Sequence, residues 1–160
     1  MDQRPAIVTP SIWLALFPIA CIVHFAEEFW CGEGYPAYLL RLRGVELPTE
    51  RFVILQAIGF VLIVAACPIS TRLRFPEFMV ALLGALFLCN GLTHSITALW
   101  FDGYGPGLYS SLFLWIPIGA FSLVRSYKRV PTNRLLVAAL IGVAVNGLIE
   151  LIALRGGRLF

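Results

Sequence analysis

The chain has 160 residues, enough for one domain. It is 59% apolar and only 13% charged, with a mean hydropathy of +0.86, against about 25% charged and 45–50% apolar in soluble domains; this excludes an ordinary soluble fold. The net charge of +3 is small, and there is neither a basic cluster interleaved with aromatics nor a Gly-rich phosphate loop, which speaks against nucleic-acid and nucleotide partners.

A helical span needs about 20 mainly apolar residues. Five stretches meet this: residues 11–30, 51–69, 76–101, 108–124 and 133–154. The expectation is an all-α, polytopic membrane bundle of five transmembrane helices forming one domain over residues 1–160. Pro10 is placed to start the first helix and Pro18 to kink it, while Thr49 is an expected N-cap of the second. Pro117 lies inside the fourth. The first stretch has a single Arg before it and no small-residue cleavage pattern after it, so it reads as a retained helix. The longest link, residues 31–50, holds Tyr35, Tyr38 and a Leu/Arg run suited to a short interfacial helix. The four cysteines (Cys21, Cys31, Cys67 and Cys89) form no C-x-x-C and read as small embedded residues.

Orientation follows the Lys/Arg bias of the flanks. Seven basic residues fall on the N-terminal side (Arg4, Arg72, Arg74, Arg125, Lys128, Arg129 and Arg134) against five on the other (Arg41, Arg43, Arg51, Arg155 and Arg158). The expected arrangement is multi-pass in a bacterial cytoplasmic membrane, with the N-terminus inside and the C-terminus outside.

The first stretch carries His24-Phe25-Ala26-Glu27-Glu28. An ionisable residue at the centre of a span costs about 2.5–3.5 kcal/mol on insertion scales and marks a functional site by default. Glu27 and Glu28 follow His24 by three and four positions, so both flank it on one helix face. With five alternating spans, the other polar residues gather at the same, outer end. Gln56 is near the start of the second span, and Asn90, Thr93, His94 and Thr97 lie in the second half of the third. Ser110 and Ser111 stand at the mouth of the fourth, and Asn146 and Glu150 lie late in the fifth, while the inner halves hold few polar side chains. Tyr104 and Tyr109, in and after a Gly/Pro turn, are placed to cap this pocket. The expected catalytic set is His24, Glu27, Glu28, Asn90 and His94, with Gln56, Thr97, Tyr104, Tyr109, Asn146 and Glu150 lining the pocket.

Three motifs resemble those of the HXXEE-domain family of bacterial integral membrane proteins: His24-x-x-Glu27-Glu28, Asn90-x-x-x-His94 and Tyr104-Gly105-Pro106-Gly107. They stand in the family's order over roughly residues 12–125. The resemblance implies a membrane-bound protein suspected of enzymatic activity, with no substrate implied.

Two chemistries fit the residues. In one, His24, His94 and one or both of Glu27 and Glu28 bind one divalent ion, zinc or iron, with His24, Glu28 and His94 the expected set and a spare Glu the base. In the other, a desolvated Glu and a His exchange protons, with Asn90 orienting His94. The second resembles in its parts the intramembrane CAAX-type proteases, although the Arg their Glu pair carries four residues on is here Gly32. Either gives a hydrolase or isomerase acting on a membrane lipid or another hydrophobic small molecule. A proton-coupled transporter or a non-catalytic lipid-binding protein is the alternative, and nothing in the sequence indicates an oligomer.

Overall fold

A computed structural model describes residues 10–101 and 103–156, with side chains from residue 12 onward. Arg4 and Arg158 of the charge reading lie outside the described residues. The chain is helical throughout: α1 (Pro10–Trp30), α2 (Tyr35–Arg43), α3 (Thr49–Arg72), α4 (Pro76–Trp100), α5 (Leu108–Ser110), a π-helical turn (Ser111–Trp115), α6 (Ile116–Tyr127) and α7 (Thr132–Leu154). Five segments are long and apolar enough to cross a membrane: Ile12–Trp30, Thr49–Arg72, Pro76–Trp100, Leu108–Tyr127 and Thr132–Leu154. The second and fourth outrun the sequence expectation, because hydropathy fades at Arg72 and Arg125 while the backbone ladder continues.

Local chemistry sets these boundaries. Pro10 begins α1 as expected. Thr49 does not cap α3; it is already the first helical residue, Pro48 holds the cap position with an extended backbone, and no side-chain cap bond forms. Pro131 does the same for α7. The fixed φ of proline supplies the entry that a capping hydroxyl would otherwise provide. Pro18 sits inside α1, where its missing N–H leaves the Leu14 carbonyl without the usual partner. The Cys67 thiol lies 3.5 Å from that carbonyl and 3.2 Å from the Ile63 carbonyl of its own helix, a shared contact between α3 and α1.

α4 is the central helix, packed against α1, α3, α6 and α7. Small residues let the backbones close. A Cβ added to Gly119 would stand 2.7 Å from the Gly84 carbonyl oxygen, and one added to Gly84 would stand 2.7 Å from the Ser122 Cβ, the close approach that membrane bundles use in place of a hydrophobic drive between helices. The core on α4's other side comprises Leu14, Phe17, Cys21, Val80, Leu83, Phe87 and Trp115.

The end of the bundle opposite the pocket carries more polar chemistry than the sequence suggested. Glu77 accepts from Arg125 at 2.9 Å and from Arg129 at 3.1 Å, and Trp13 donates to Ser122 at 2.7 Å. Ser70, Ser122 and Ser126 are fully buried. These residues are short or flank the spans, so their partners come from tertiary packing. The four cysteines are all unpaired.

Candidate metal centre

The alternating helices bring the end of α1, the start of α3, the end of α4, the start of α5 and the end of α7 to one end of the bundle. α1 contributes His24 and Glu28, one turn apart on one face, and α4 contributes His94. His24 and Glu28 are buried, and the His94 side chain is 9% exposed. One donor atom from each lies within 4.8 Å of the others. Glu28 Oε1 is 3.7 Å from His24 Nε2 and 3.4 Å from His94 Nε2, and the imidazoles meet edge to face with centroids 4.9 Å apart.

The surroundings fix each of the three. His24 Nδ1 is 2.8 Å from Ser110 Oγ. The Ser110 hydroxyl also lies 3.2 Å from the Gly107 carbonyl; with its proton directed there it accepts from His24, the tautomer in which Nδ1 carries the imidazole proton. In that tautomer His24 Nε2 presents its lone pair to Glu28. The His94 ring is hydrogen-bonded to the backbone of Pro106; proline has no N–H, so its carbonyl is the acceptor. The second oxygen of Glu28, Oε2, accepts from the Gln56 amide of α3. Beneath His24, the Trp115 ring lies tilted with centroids 4.1 Å apart, and Phe87 stacks on Trp115 at 4.0 Å. The Trp115 indole donates to the Ala20 carbonyl at 3.1 Å. This aromatic floor separates the cluster from the rest of the bundle.

Glu27, the neighbour of Glu28, does something different. One oxygen accepts the Tyr109 backbone N–H at 2.9 Å and the Tyr104 hydroxyl at 3.0 Å; the other accepts the Ser110 backbone N–H at 2.6 Å. Those N–H groups belong to the first turn of the fourth span, where the helix has no carbonyl to offer them. Glu27 is thus an N-cap supplied from another helix, favoured by the positive end of the helix dipole. It pins the Tyr104–Gly107 turn over the cluster. Gly107 carries the closest contact: its φ is +88°, and a Cβ there would stand 2.8 Å from His24 Cε1, 2.9 Å from His94 Cε1 and 3.1 Å from Glu28 Cγ.

α2 folds back over the same end. Tyr35 stacks on Phe52, with centroids 5.7 Å apart, and lies 6.1 Å from the His94 ring. Burial, reinforced by the nearby Glu150 and Glu28 carboxyls, pushes the Tyr35 phenol above its ordinary range. Burial and the Glu27 carboxylate do the same to Tyr104. Both remain neutral hydrogen-bond donors.

Of the residues expected at the site, His24, Glu28 and His94 form the cluster, Gln56 touches it, and Glu27 and Tyr104 brace the turn above it. Tyr109 contributes its backbone N–H while its ring lies 59% exposed, stacked on Tyr104. Asn90 is buried about 6 Å along α4 from His94, with its Oδ1 unpartnered among the described residues. Asn146 donates to Cys89 Sγ at 3.4 Å. Glu150 lies in electrostatic range of Glu28, Tyr35 and Arg43. Thr97 lines a separate depression with Arg43, Ile96 and Trp100.

Over residues 15–122 the chain matches the family described as protein of unknown function with HXXEE motif. The chain belongs to the HXXEE family. The geometry gives this family signature a division of labour here: the His and the second Glu enter the cluster, and the first Glu holds the turn above it. No curated protein and no solved structure matches the chain. Gly107, Trp115 and Tyr35 were absent from the site as read from this HXXEE sequence, and Ser110 was placed only at its mouth; the Gly-Pro-Gly turn was the one signal that a backbone approaches closely there.

Proposed function

We propose that this HXXEE protein is a membrane-embedded, metal-assisted enzyme of hydrolase or isomerase type, acting on a lipid-like substrate. One observation carries the reading: Glu28 Oε1 stands 3.7 Å from His24 Nε2 and 3.4 Å from His94 Nε2, three donor atoms gathered in one buried spot. These separations exceed a direct hydrogen bond of about 2.7–3.2 Å. They suit donors that share a cation: ligands at about 2.0–2.1 Å in a tetrahedron stand about 3.4 Å apart. Two imidazoles and a carboxylate are a donor set for zinc or iron that leaves a coordination position open. A divalent ion held by His24, Glu28 and His94 would polarise a substrate oxygen and acidify a coordinated water.

The protein's own groups fill the remaining roles. Ser110 holds the His24 tautomer, Gln56 orients Glu28, and the aromatic floor keeps water from entering below, which strengthens every charge interaction inside. Glu150 is the carboxyl left to act as base, because both Glu27 oxygens are engaged by the turn. Tyr35 is a neutral donor for charge developing beside His94. The placement in a bacterial cytoplasmic membrane with the N-terminus inside rests on the Arg125–Arg134 cluster.

The test is the metal content of the detergent-purified protein beside His24→Ala and His94→Ala, followed by incubation with a total bacterial lipid extract. The expected result is about one zinc or iron per chain, the stoichiometry of a three-ligand site, lost in both variants, and a lipid product that both variants fail to form. A folded wild type that stays metal-free after ions are added back overturns the reading.

A further inference from the structure

A groove of about 410 Å³ runs between α1 and α3, lined by Phe25, Phe29, Phe52, Val53, Gln56 and Phe60 among others. Both helices are long and apolar enough to span a membrane. Every lining residue is apolar except Gln56, and Gln56 is the residue whose amide donates to Glu28 Oε2. The other oxygen of that carboxylate faces the two imidazoles. The only polar point of the groove is therefore the back of the metal-ligand cluster.

Size decides what the groove holds. The lining runs from Ile22 to Trp30 on α1 and from Phe52 to Phe60 on α3, about 12 Å along each helix. A single hydrocarbon chain lying along the helices fits, and four phenylalanine rings give it rigid walls. The volume is in the about 300–1,000 Å³ range of small-molecule sites.

We infer that this groove is the alkyl-chain subsite of the substrate: one unbranched hydrocarbon chain lies between α1 and α3, and its polar end meets the cluster at Gln56. The inference rests on the cluster being an enzyme centre and adds the substrate's class, a single-chain amphiphile whose reacting group is at the end of the chain. The chain enters sideways from the bilayer, so substrate need not leave the membrane to react.

The experiment photolabels the full-length protein in detergent with hexadecanoic acid carrying a mid-chain diazirine and maps the labelled residues by peptide mass spectrometry. Label should concentrate on Phe25, Phe29, Val53 and Ala57 over Leu62 and Leu140, which are 64% and 69% exposed elsewhere on the apolar surface. Ala57→Trp and Val53→Trp fill the groove from two positions. Each should cut groove labelling by about tenfold or more, the scale on which a pocket registers a misplaced methylene, with metal content unchanged. Even labelling over all exposed apolar positions overturns the inference, as does wild-type labelling in both variants. Loss of a dimer in both variants, without groove labelling in the wild type, assigns the surface to a second copy and also overturns it. Metal content of the same samples separates the two readings. Groove labelling of a metal-free wild type supports the subsite and removes the metal, and even labelling of a metal-loaded one removes the subsite alone.

Discussion

Adjacent glutamates with different partners should respond differently to the same substitution. Glu27→Gln keeps the size of the side chain and removes one acceptor. Of the backbone bonds to Tyr109 and Ser110, at 2.9 and 2.6 Å, one loses its acceptor to an NH₂ group that faces an N–H. The other becomes a neutral bond. A hydrogen bond to a charged group contributes about 1.5–3 kcal/mol and a neutral one about 1, so the loss is about 3 kcal/mol. At about 2–4 °C per kcal/mol for a chain of this size, the unfolding midpoint falls by about 6–12 °C. The metal stays, because Glu27 is not among the three donors. Glu28→Gln reverses the pattern. It removes a proposed ligand, so metal should be lost, while the midpoint of the metal-free protein should move by less than about 3 °C, because Gln fills the same volume. The assay is thermal unfolding in detergent with metal analysis of the same samples, both before and after chelation. If Glu27→Gln loses its metal at an unchanged midpoint, the assignment of the two glutamates is wrong.

Ser110→Ala frees the His24 tautomer and should weaken metal affinity by about 10–100-fold, the usual cost of losing such a supporting bond, read by competition with a chelator of known affinity. Gly107→Ala places a Cβ 2.8 Å from His24 Cε1 at a positive φ, so metal binding should vanish even where size-exclusion chromatography shows a folded protein; normal metal content would refute the close turn. Tyr104→Phe removes a phenol whose proton the fold retains by burial and by the Glu27 carboxylate. The folded state binds that proton more tightly than the unfolded one, so the stability it contributes is complete below the ordinary phenol value of about 10 and declines above it. The midpoint gap between wild type and variant should be constant from pH 7 to about 9 and should narrow above about 10. A reporter fused after Phe160 should read outside the cytoplasm, and a cytoplasmic reading reverses the proposed orientation.

The five spans were legible because a bilayer demands long apolar runs, and the cluster was legible because ionisable residues inside such runs are conspicuous. His24 and Glu28 were paired by helical spacing. His94 joined them only through the argument that alternating helices bring their polar halves to one end. That reasoning has no distances in it, so it could not separate Glu27 from Glu28; the difference arises because the backbone of the fourth span passes beside one carboxylate and the imidazoles beside the other. Tyr109 shows the same limit in reverse. It was chosen for its ring, yet its backbone N–H is what reaches the site. Thr97 shares a helix end with His94 but, three residues on, lies beside Arg43 instead. Ser110 was visible at the mouth of the fourth span, but nothing in the sequence revealed that its hydroxyl reaches a histidine 86 positions away while lying against the Gly107 carbonyl.

The π-helical turn at Ser111–Trp115 has a bearing on how the imidazole is gripped. Ser110 meets the edge of His24 and Trp115 lies against its face, and these two residues are five apart. In an unbroken α-helix, residues five apart diverge by about 140° around the axis, too far to serve one ring. The wider turn, with the Ile116 N–H reaching back to the Ser111 carbonyl, returns them to one side. Pro117, which interrupts the regular ladder just beyond, sits where such a surplus residue is tolerated. What holds His24 is thus a matter of count as well as of kind: shorten the chain by one residue between 111 and 115, and one jaw of the grip swings away with every named side chain still present.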